Sequence, residues 1–261
     1  AQFQYVMNCE GTNCGGGGND TDGDGCDDNE DEFPTDPARC YTIKYPSSGF
    51  GTLAWEDLWP SKGDYDLNDL VLPYKITLVA NSDNNIVEVK GKFYIKAVGA
   101  NLHNGFGWQF DNILPGQVAS VTGQSLLKGY VNLNGNGTEA CQNKAVVIAF
   151  DDADNILNRA GGQFFNTLPN GITGTSDTLN ITVVFTQPLP QATVGAAPFN
   201  PFLIKNGTRG KEIHLVDHVP TSLASSSVFG TDDDDSNPAT GRYYRTVNNL
   251  PWAIHIPQIL D

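Results

Sequence analysis

Ile76-Thr-Leu-Val-Ala-Asn-Ser-Asp-Asn-Asn-Ile-Val-Glu-Val-Lys-Gly-Lys-Phe-Tyr-Ile95 decides the class of fold. Two runs rich in β-branched and aromatic residues flank residues 81–85, whose Asn and Asp side chains suit the positive φ angles of tight turns. The second run alternates apolar and polar residues, which is typical of a strand with one face in the core. The stretch therefore predicts two half-buried antiparallel strands.

The rest of the chain repeats this pattern. Runs at residues 144–150, 179–185 and 212–216 are also rich in β-branched and aromatic residues, and turn-forming residues occur at 132–137 and 169–171. No stretch has the period of a long amphipathic helix. Residues 41–261 are therefore predicted to form one all-β, β-sandwich-like domain of jelly-roll or Greek-key type with long loops.

The charge and the apolar runs of the chain argue against some classes of partner and location. The 261-residue chain has a formal net charge of −15 and a pI near 4.4, so nucleic acid and anionic membranes would repel it at long range. The longest apolar run, residues 145–150, is too short for a transmembrane segment. The chain opens on Ala1 rather than Met, which suggests a removed signal peptide and a secreted, extracellular or outer-surface location.

The first 18 residues differ from the β-domain. Phe3-Gln-Tyr-Val-Met7 is strand-like, and four glycines at 15–18 follow as a tether. A strand on a tether can add to an exposed sheet edge of a neighbouring molecule, so residues 1–18 are a candidate for self-association. The alternative is a terminus without fixed structure.

The five cysteines are unevenly placed. Four of them lie in the first forty residues, and in an exported protein the simplest pairing is Cys9 with Cys14 and Cys26 with Cys40. Four cysteines permit three pairings, so the others stay open. Cys141 is then expected to be a buried or inert thiol, with a disulfide to another chain or to an early cysteine as the alternative.

Residues 19–40 form an acidic, glycine-rich segment with the spacing of a calcium loop. Ligands are expected at loop positions one, three, five, seven and twelve, with glycine at six and a backbone carbonyl at seven. The corresponding residues are Asp20, Asp22, Asp24, Cys26 and Asp31. The stretch resembles a thrombospondin type 3 repeat of the bacterial variety, which implies an extracellular calcium site. A solvated acidic linker is the alternative.

A second acidic segment lies between two predicted strands. Asp64, Asp66 and Asn68 alternate, so in an extended chain their side chains would share one face and offer three oxygen donors to calcium. Further ligands of this site are predicted to be Glu56, Asp57 and Asp69. Acidic residues that could complete it from another loop are Asp151, Asp152 and Asp154. The alternative is that these residues cap turns.

Three stretches carry a resemblance to a known family. They are Gly51-Thr-Leu-Ala-Trp-Glu-Asp-Leu-Trp-Pro-Ser-Lys-Gly-Asp-Tyr-Asp-Leu-Asn-Asp-Leu-Val71, Glu212-Ile-His-Leu-Val-Asp217 and Asn249-Leu-Pro-Trp-Ala-Ile-His-Ile-Pro257. Residues 45–261 resemble the LruC domain of bacterial surface and secreted proteins. The resemblance implies an exported, surface-associated β-domain with no established reaction.

No stretch matches a nucleophile, phosphate-binding or dinucleotide-binding motif. His214 and His218 lack a metal-binding pattern and are expected to be hydrogen-bonded imidazoles. The chain is therefore predicted to be non-catalytic and calcium-stabilised, and to serve adhesion, matrix building or assembly, with a surface glycan or protein as partner. One alternative is an enzyme acting on extracellular polymers through two carboxylates. The other is a carbohydrate-binding module built on Trp55, Trp59, Trp108 and Trp252.

Overall fold

The structure, a computed structural model, describes residues 18–157 and 164–259. Nearly all of its regular structure is strand. The strands are β1 (Tyr41–Tyr45), β2 (Gly51–Trp55), β3 (Leu70–Ala80), β4 (Asn85–Phe93), β5 (Gly105–Phe110), β6 (Val118–Thr122), β7 (Ala145–Phe150), β8 (Leu179–Pro190), β9 (Asn200–Ile204), β10 (Glu212–His214) and β11 (Ala253–Ile256). The short helix α1 (Gln191–Val194) follows β8, and 3₁₀ turns lie at Pro115–Gln117, Ala153–Asn155, Lys205–Gly207, Ser226–Val228 and Pro238–Thr240.

The larger sheet has the order β11-β2-β3-β4-β8-β6 and is antiparallel. Strand β3 is long enough to pair with β2 along its first half and with β1 along its second half. The predicted pair of strands over residues 76–95 is confirmed as part of the β3–β4 hairpin. Its turn forms as expected, because Asn84 has φ 63° and the Asn81 side chain accepts a hydrogen bond from Asn85 N at 2.9 Å.

The smaller sheet, β10-β9-β5-β7, packs against the larger one. Every residue of β5 and β7 is buried, and aromatic rings fill the space between the sheets. Phe93 of the larger sheet lies 5.5 Å from Trp108 of the smaller one, and Trp55 lies 5.7 Å from Phe106, measured between ring centroids. Two packed antiparallel sheets confirm the predicted all-β, sandwich-like fold.

The segment between β6 and β7 closes one side of the sandwich. It bonds to both edge strands, because Val121 N donates to Asn136 O at 2.8 Å and Glu139 N donates to Val146 O at 2.8 Å. The Gln124 side-chain amide also donates to the backbone carbonyl of Ile148 in β7, at 2.7 Å. These bonds protect edges that would otherwise pair with another chain, and they fix the loop that carries residues 125–131.

The acidic N-terminal loop is tied to the larger sheet. A disulfide joins Cys26 to Cys40, as predicted, and Cys40 N donates to Ala80 O at the end of β3 at 2.8 Å. The predicted Cys9–Cys14 pair and the strand-like stretch of residues 3–7 lie outside the described residues. Cys141 is a free thiol and is exposed, so of the two states expected for it, buried or inert, the structure contradicts burial.

No helix among residues 18–157 and 164–259 is long and apolar enough to span a membrane.

Candidate metal centre

The end of the β2–β3 strand pair builds the main acidic cluster. Trp55 and Leu70 are paired residues at the last position of the ladder, so the residues just beyond them face each other. Glu56 continues β2 by donating its N–H to Trp252 O at 2.9 Å. The Asp57 N–H then donates to Asp69 Oδ2 at 2.6 Å, which holds the Asp69 carboxylate next to the end of β2. The ladder therefore brings three acidic residues to one point.

These three carboxylates are buried. Glu56, Asp57 and Asp69 are 0%, 2% and 8% exposed, and one carboxylate oxygen from each lies within 4.8 Å of the other two. Asn104, just before β5, donates its side-chain amide to Asp57 Oδ2 at 2.6 Å. Buried carboxylates this close are costly unless a cation or protons neutralise them.

The pKa values of the three carboxyl groups reflect this cost. Burial, followed by the charge of Asp69, raises the pKa of Glu56 to about 8 and that of Asp57 to about 6. Burial also raises the pKa of Asp69. Lys205 is the nearby cation, yet burial lowers its pKa, and its Nζ donates to Trp59 O at 2.9 Å. Glu56 therefore keeps a proton at neutral pH that a divalent cation would replace.

A second, more exposed group adjoins the first through Glu56. Oxygens of Glu56, Asp64 and Asp66 lie within 4.8 Å of one another, and Asp64 and Asp66 are exposed. The Asn68 amide donates a short hydrogen bond to Asp66, so Asn68 contacts the group through that carboxylate. All six residues predicted for this site thus lie in one loop-and-strand cluster.

The geometry that gathers them differs from the prediction. An extended segment was expected, but Tyr65 and Leu67 have φ angles of 56° and 55°. Alternate left-handed residues curl the loop back on itself, and the Tyr65 N–H donates to Glu56 Oε2 at 2.9 Å. The extended-strand interpretation is therefore wrong, because the loop bonds to the buried Glu56 instead of pairing as a strand.

Two glycines make room for this cluster. A Cβ on Gly63 would lie 2.4 Å from Glu56 Cδ, and a Cβ on Gly99 would lie 1.5 Å from Asn68 Oδ1. Neither distance is compatible with a side chain unless the acidic loop moves. The close packing of the loop thus depends on glycine at both positions.

The N-terminal loop brings part of its predicted ligand set together. Oxygens of Asp20, Asp22 and Asp24 lie within 4.8 Å of one another, and the Oδ2 atoms of Asp22 and Asp24 are buried without hydrogen bonds. Asp31 is not in that group, and its Oδ1 accepts a hydrogen bond from Phe33 N at 2.6 Å. Cys26 donates its N–H to Asp24 Oδ1 at 2.7 Å.

Residues 151–154 do not join the β2–β3 cluster. Asp151 anchors a loop instead, since its carboxylate accepts the N–H groups of Leu127 at 2.9 Å and Lys128 at 2.6 Å. Asp152 and Asp154 form a separate group with His103. The prediction that these acidic residues complete the same site is therefore wrong. They follow the end of β7 and lie in a separate group.

A buried polar network near β10 serves the fold. Arg209 pairs with Glu139 and Glu212, and His214 lies between Asn200 Oδ1 at 2.6 Å and Glu212 Oε2 at 2.8 Å. The expectation of a hydrogen-bonded imidazole at His214 is confirmed. Burial opposes ionisation of Glu212, but the hydrogen bond and charge of His214 and the charge of Arg209 lower its pKa to about 2.

Sequence reasoning missed Asn104 and Lys205 as neighbours of the cluster and His103 as a partner of the 151–154 turn. These residues come from segments far from the acidic motifs along the chain. The one local signal is the pair of polar residues, His103 and Asn104, immediately before β5.

Comparison with known proteins adds a family and a fold neighbour. A crystal structure at 2.08 Å resolution of a Bacteroides ovatus protein described as a "putative lipoprotein" matches with a TM-score of 0.57 and 15% identity. The match covers 83% of this chain and 66% of the other chain, and it concerns the fold alone. Among curated proteins, none matches this chain significantly. The model of the family described as "Domain of unknown function (DUF4842)" matches residues 84–261, so the chain belongs to the DUF4842 family.

Proposed function

We propose that this chain is a non-catalytic, calcium-stabilised protein of the cell exterior or outer surface that serves adhesion, matrix building or assembly. The observation that supports it is the cluster of three buried carboxylates at the end of the β2–β3 ladder. Its surface location draws on the motif resemblance to the LruC domain and on the lipoprotein neighbour in fold. The thrombospondin type 3-like spacing of residues 19–40 adds a second calcium loop.

Calcium suits the cluster better than other common cations. All of the donors from Glu56, Asp57, Asp64, Asp66 and Asp69 are carboxylate oxygens, and hard oxygen donors favour calcium or magnesium. Calcium accepts about six to eight oxygens in irregular arrangements, whereas magnesium requires a near-ideal octahedron. A curled loop that meets a strand end is irregular, so calcium is the better fit.

The position of the cluster favours a structural role over catalysis. The three inner carboxylates are at most 8% exposed, and each is bonded to backbone or side-chain groups of the sandwich. An ion held there would tie the end of β2, the start of β3 and the residue before β5 together. It would relieve the repulsion that otherwise favours opening of the loop, and its binding energy would add to folding.

Thermal unfolding of the purified chain in excess calcium and in excess chelator tests this role. We expect a lower melting temperature in chelator, and we expect Asp64→Ala and Asp22→Ala each to reduce the calcium-dependent rise. Asp177→Ala is the matched control, because Asp177 is exposed and far along the chain from the acidic loops. Equal melting temperatures in calcium and chelator for the unaltered chain would refute the calcium proposal.

Assembly needs a separate measurement. Sedimentation velocity of the full chain, compared with a chain lacking residues 1–18, tests whether this segment links copies. We expect concentration-dependent multimers of the full chain and monomers of the shortened one. Monomers in both samples would refute self-association through residues 1–18 and leave the calcium proposal intact.

The carbohydrate-binding alternative gains no support from the tryptophans. Burial of the four indole rings is nearly complete, at 1% exposure or less for Trp55, Trp59, Trp108 and Trp252. They pack in the core and offer no flat surface to a sugar ring. Binding of the calcium-loaded chain to a glycan array would favour this alternative, and residues other than the four tryptophans would then contact the sugar.

A further inference from the structure

A separate group of metal-ligating side chains lies near the acidic cluster of Glu56, Asp57 and Asp69, which is called the calcium cluster below. Ligand atoms of His103, Asp152 and Asp154 are within 4.8 Å of one another. His103 Nδ1 lies 2.9 Å from Asp152 Oδ2 and 3.4 Å from Asp154 Oδ2. This group brings an imidazole nitrogen and two carboxylates to one point, which the calcium cluster does not do.

Asp152 is the unusual member of the group. It is 1% exposed, and its Oδ2 atom is buried. His103 Nδ1 and Lys128 Nζ approach that oxygen at 2.9 Å and 3.0 Å, so this buried carboxylate is paired with two side chains that are about half exposed. A carboxylate buried to this degree requires a cation beside it, and a divalent ion held by His103 and Asp154 would supply more charge than Lys128 does.

The surroundings hold the ligands and leave space. Asp152 Oδ1 accepts the Asp154 N–H at 2.9 Å, and the His103 N–H donates to Asn206 Oδ1 at 3.2 Å. The first bond orients the Asp152 carboxylate before any ion binds, and the second, made by the backbone N–H of His103, fixes the segment that carries the imidazole. A cavity of about 290 Å³ adjoins the group, lined by residues that include His103, Lys128 and Asp152, and it has room for water ligands.

We infer that His103, Asp152 and Asp154 form a binding site for a divalent transition-metal ion of the zinc class. Zinc binds imidazole nitrogen and carboxylate oxygen and accepts three protein ligands with water at the fourth position. Calcium prefers oxygen donors alone and a larger ligand number, so the two sites take different ions.

Lys128 occupies the ion's position when no metal is bound. Its Nζ lies 3.0 Å from Asp152 Oδ2, and the side chain of Lys128 is 47% exposed. The half-exposed ammonium is on a flexible stem and can move into solvent when the metal ion takes its place, because the buried Asp152 carboxylate then keeps a cation beside it. Metal binding therefore exchanges a monovalent cation for a divalent one at the same buried oxygen.

Zinc titration calorimetry on the full, untagged chain tests the inference. The titration is done in excess calcium on a Cys141→Ser background, because the exposed Cys141 thiol could also bind zinc. We expect one zinc ion per chain, and we expect His103→Ala and Asp152→Asn each to weaken the affinity by about tenfold or more. Asp83→Asn should leave the zinc affinity unchanged, because Asp83 is exposed in the turn between β3 and β4.

Lys128→Met should raise the zinc affinity, whereas the ligand substitutions lower it. Removing the competing ammonium should tighten zinc binding by about fivefold or more, because the factor for a fully exposed ion pair is a lower limit where the carboxylate is buried. Unchanged or weaker binding by Lys128→Met would overturn the placement of the ion at Asp152. His103 is 57% exposed, so His103→Ala should fold even if Asp152→Asn does not. Zinc binding that His103→Ala leaves intact, or no zinc binding at all, would overturn the site without bearing on calcium.

Discussion

Replacing Asp69 by Asn should change stability in opposite directions with and without calcium. The substitution keeps the shape of the side chain and an oxygen that can accept the Asp57 N–H. It removes one of the buried negative charges that remain while Glu56 holds a proton. Two unit charges 4.8 Å apart, the spacing limit of this cluster, repel by about 3.5 kcal/mol at an effective dielectric constant of about 20. In chelator, relief of one such repulsion should outweigh a weaker hydrogen bond worth about 1 kcal/mol.

We therefore expect Asp69→Asn to stabilise the chelated protein by about 2 kcal/mol. In calcium the sign reverses, because the amide supplies no charge to the ion and the affinity falls. Since a ligand stabilises by RT ln(1 + [L]/Kd), the variant should lose most of the calcium-dependent stabilisation of the unaltered chain.

Urea unfolding followed by tryptophan fluorescence measures both effects. All four indoles are buried, so their emission reports loss of the sandwich. The free energy of unfolding is compared for the unaltered chain, Asp69→Asn and the control Asp177→Asn, in calcium and in chelator. An equal loss of stability by Asp69→Asn in both conditions would refute the reasoning, since it would make Asp69 a hydrogen-bond acceptor and no more.

The buried ion pairs near β10 and one glycine of the acidic loop give three further predictions. Arg209→Met removes the guanidinium that pairs with two buried glutamates, Glu139 and Glu212, and should cost about 3–5 kcal/mol in urea unfolding. Because the folded pKa of Glu212 is about 2 and the usual value is 4.5, about 3 kcal/mol of stability present above pH 4.5 should disappear as the pH falls towards 2. Glu212→Gln should lack this dependence in acid titrations. Gly63→Ala should weaken calcium binding in calorimetry by displacing Glu56, whereas Gly116→Ala, where a Cβ has open space, should not.

The sequence predicted the fold where the signal is local. The β3–β4 hairpin has alternating strands joined by a turn rich in Asn, and each property acts over a few residues. The Cys26–Cys40 disulfide likewise joins residues only 14 positions apart. The order of the strands in each sheet depends on pairing between distant segments, which no local pattern contains.

The acidic cluster shows the same division. The sequence identified its carboxylates, because closely spaced acidic residues between two strands repel one another and are typical of a cation site. The predicted backbone path was wrong, because left-handed φ angles at Tyr65 and Leu67 are unusual for such residues and arise from tertiary contacts. The buried state of Glu56 and Asp57 also depends on β11, which pairs with β2 from the far end of the chain.

Asn104 connects the acidic cluster at the end of the β2–β3 ladder to the proposed zinc-class site. Its side chain donates to Asp57 Oδ2 at 2.6 Å, and its backbone carbonyl accepts the Ala153 N–H at 2.9 Å, next to Asp152. Its side-chain oxygen also accepts the Asn206 N–H at 3.1 Å. An ion that fixes Asp57 would therefore fix Asn104 and the turn that carries Asp152. Since coupling between binding sites is reciprocal, calcium would favour the zinc-class ion to the same extent that this ion favours calcium.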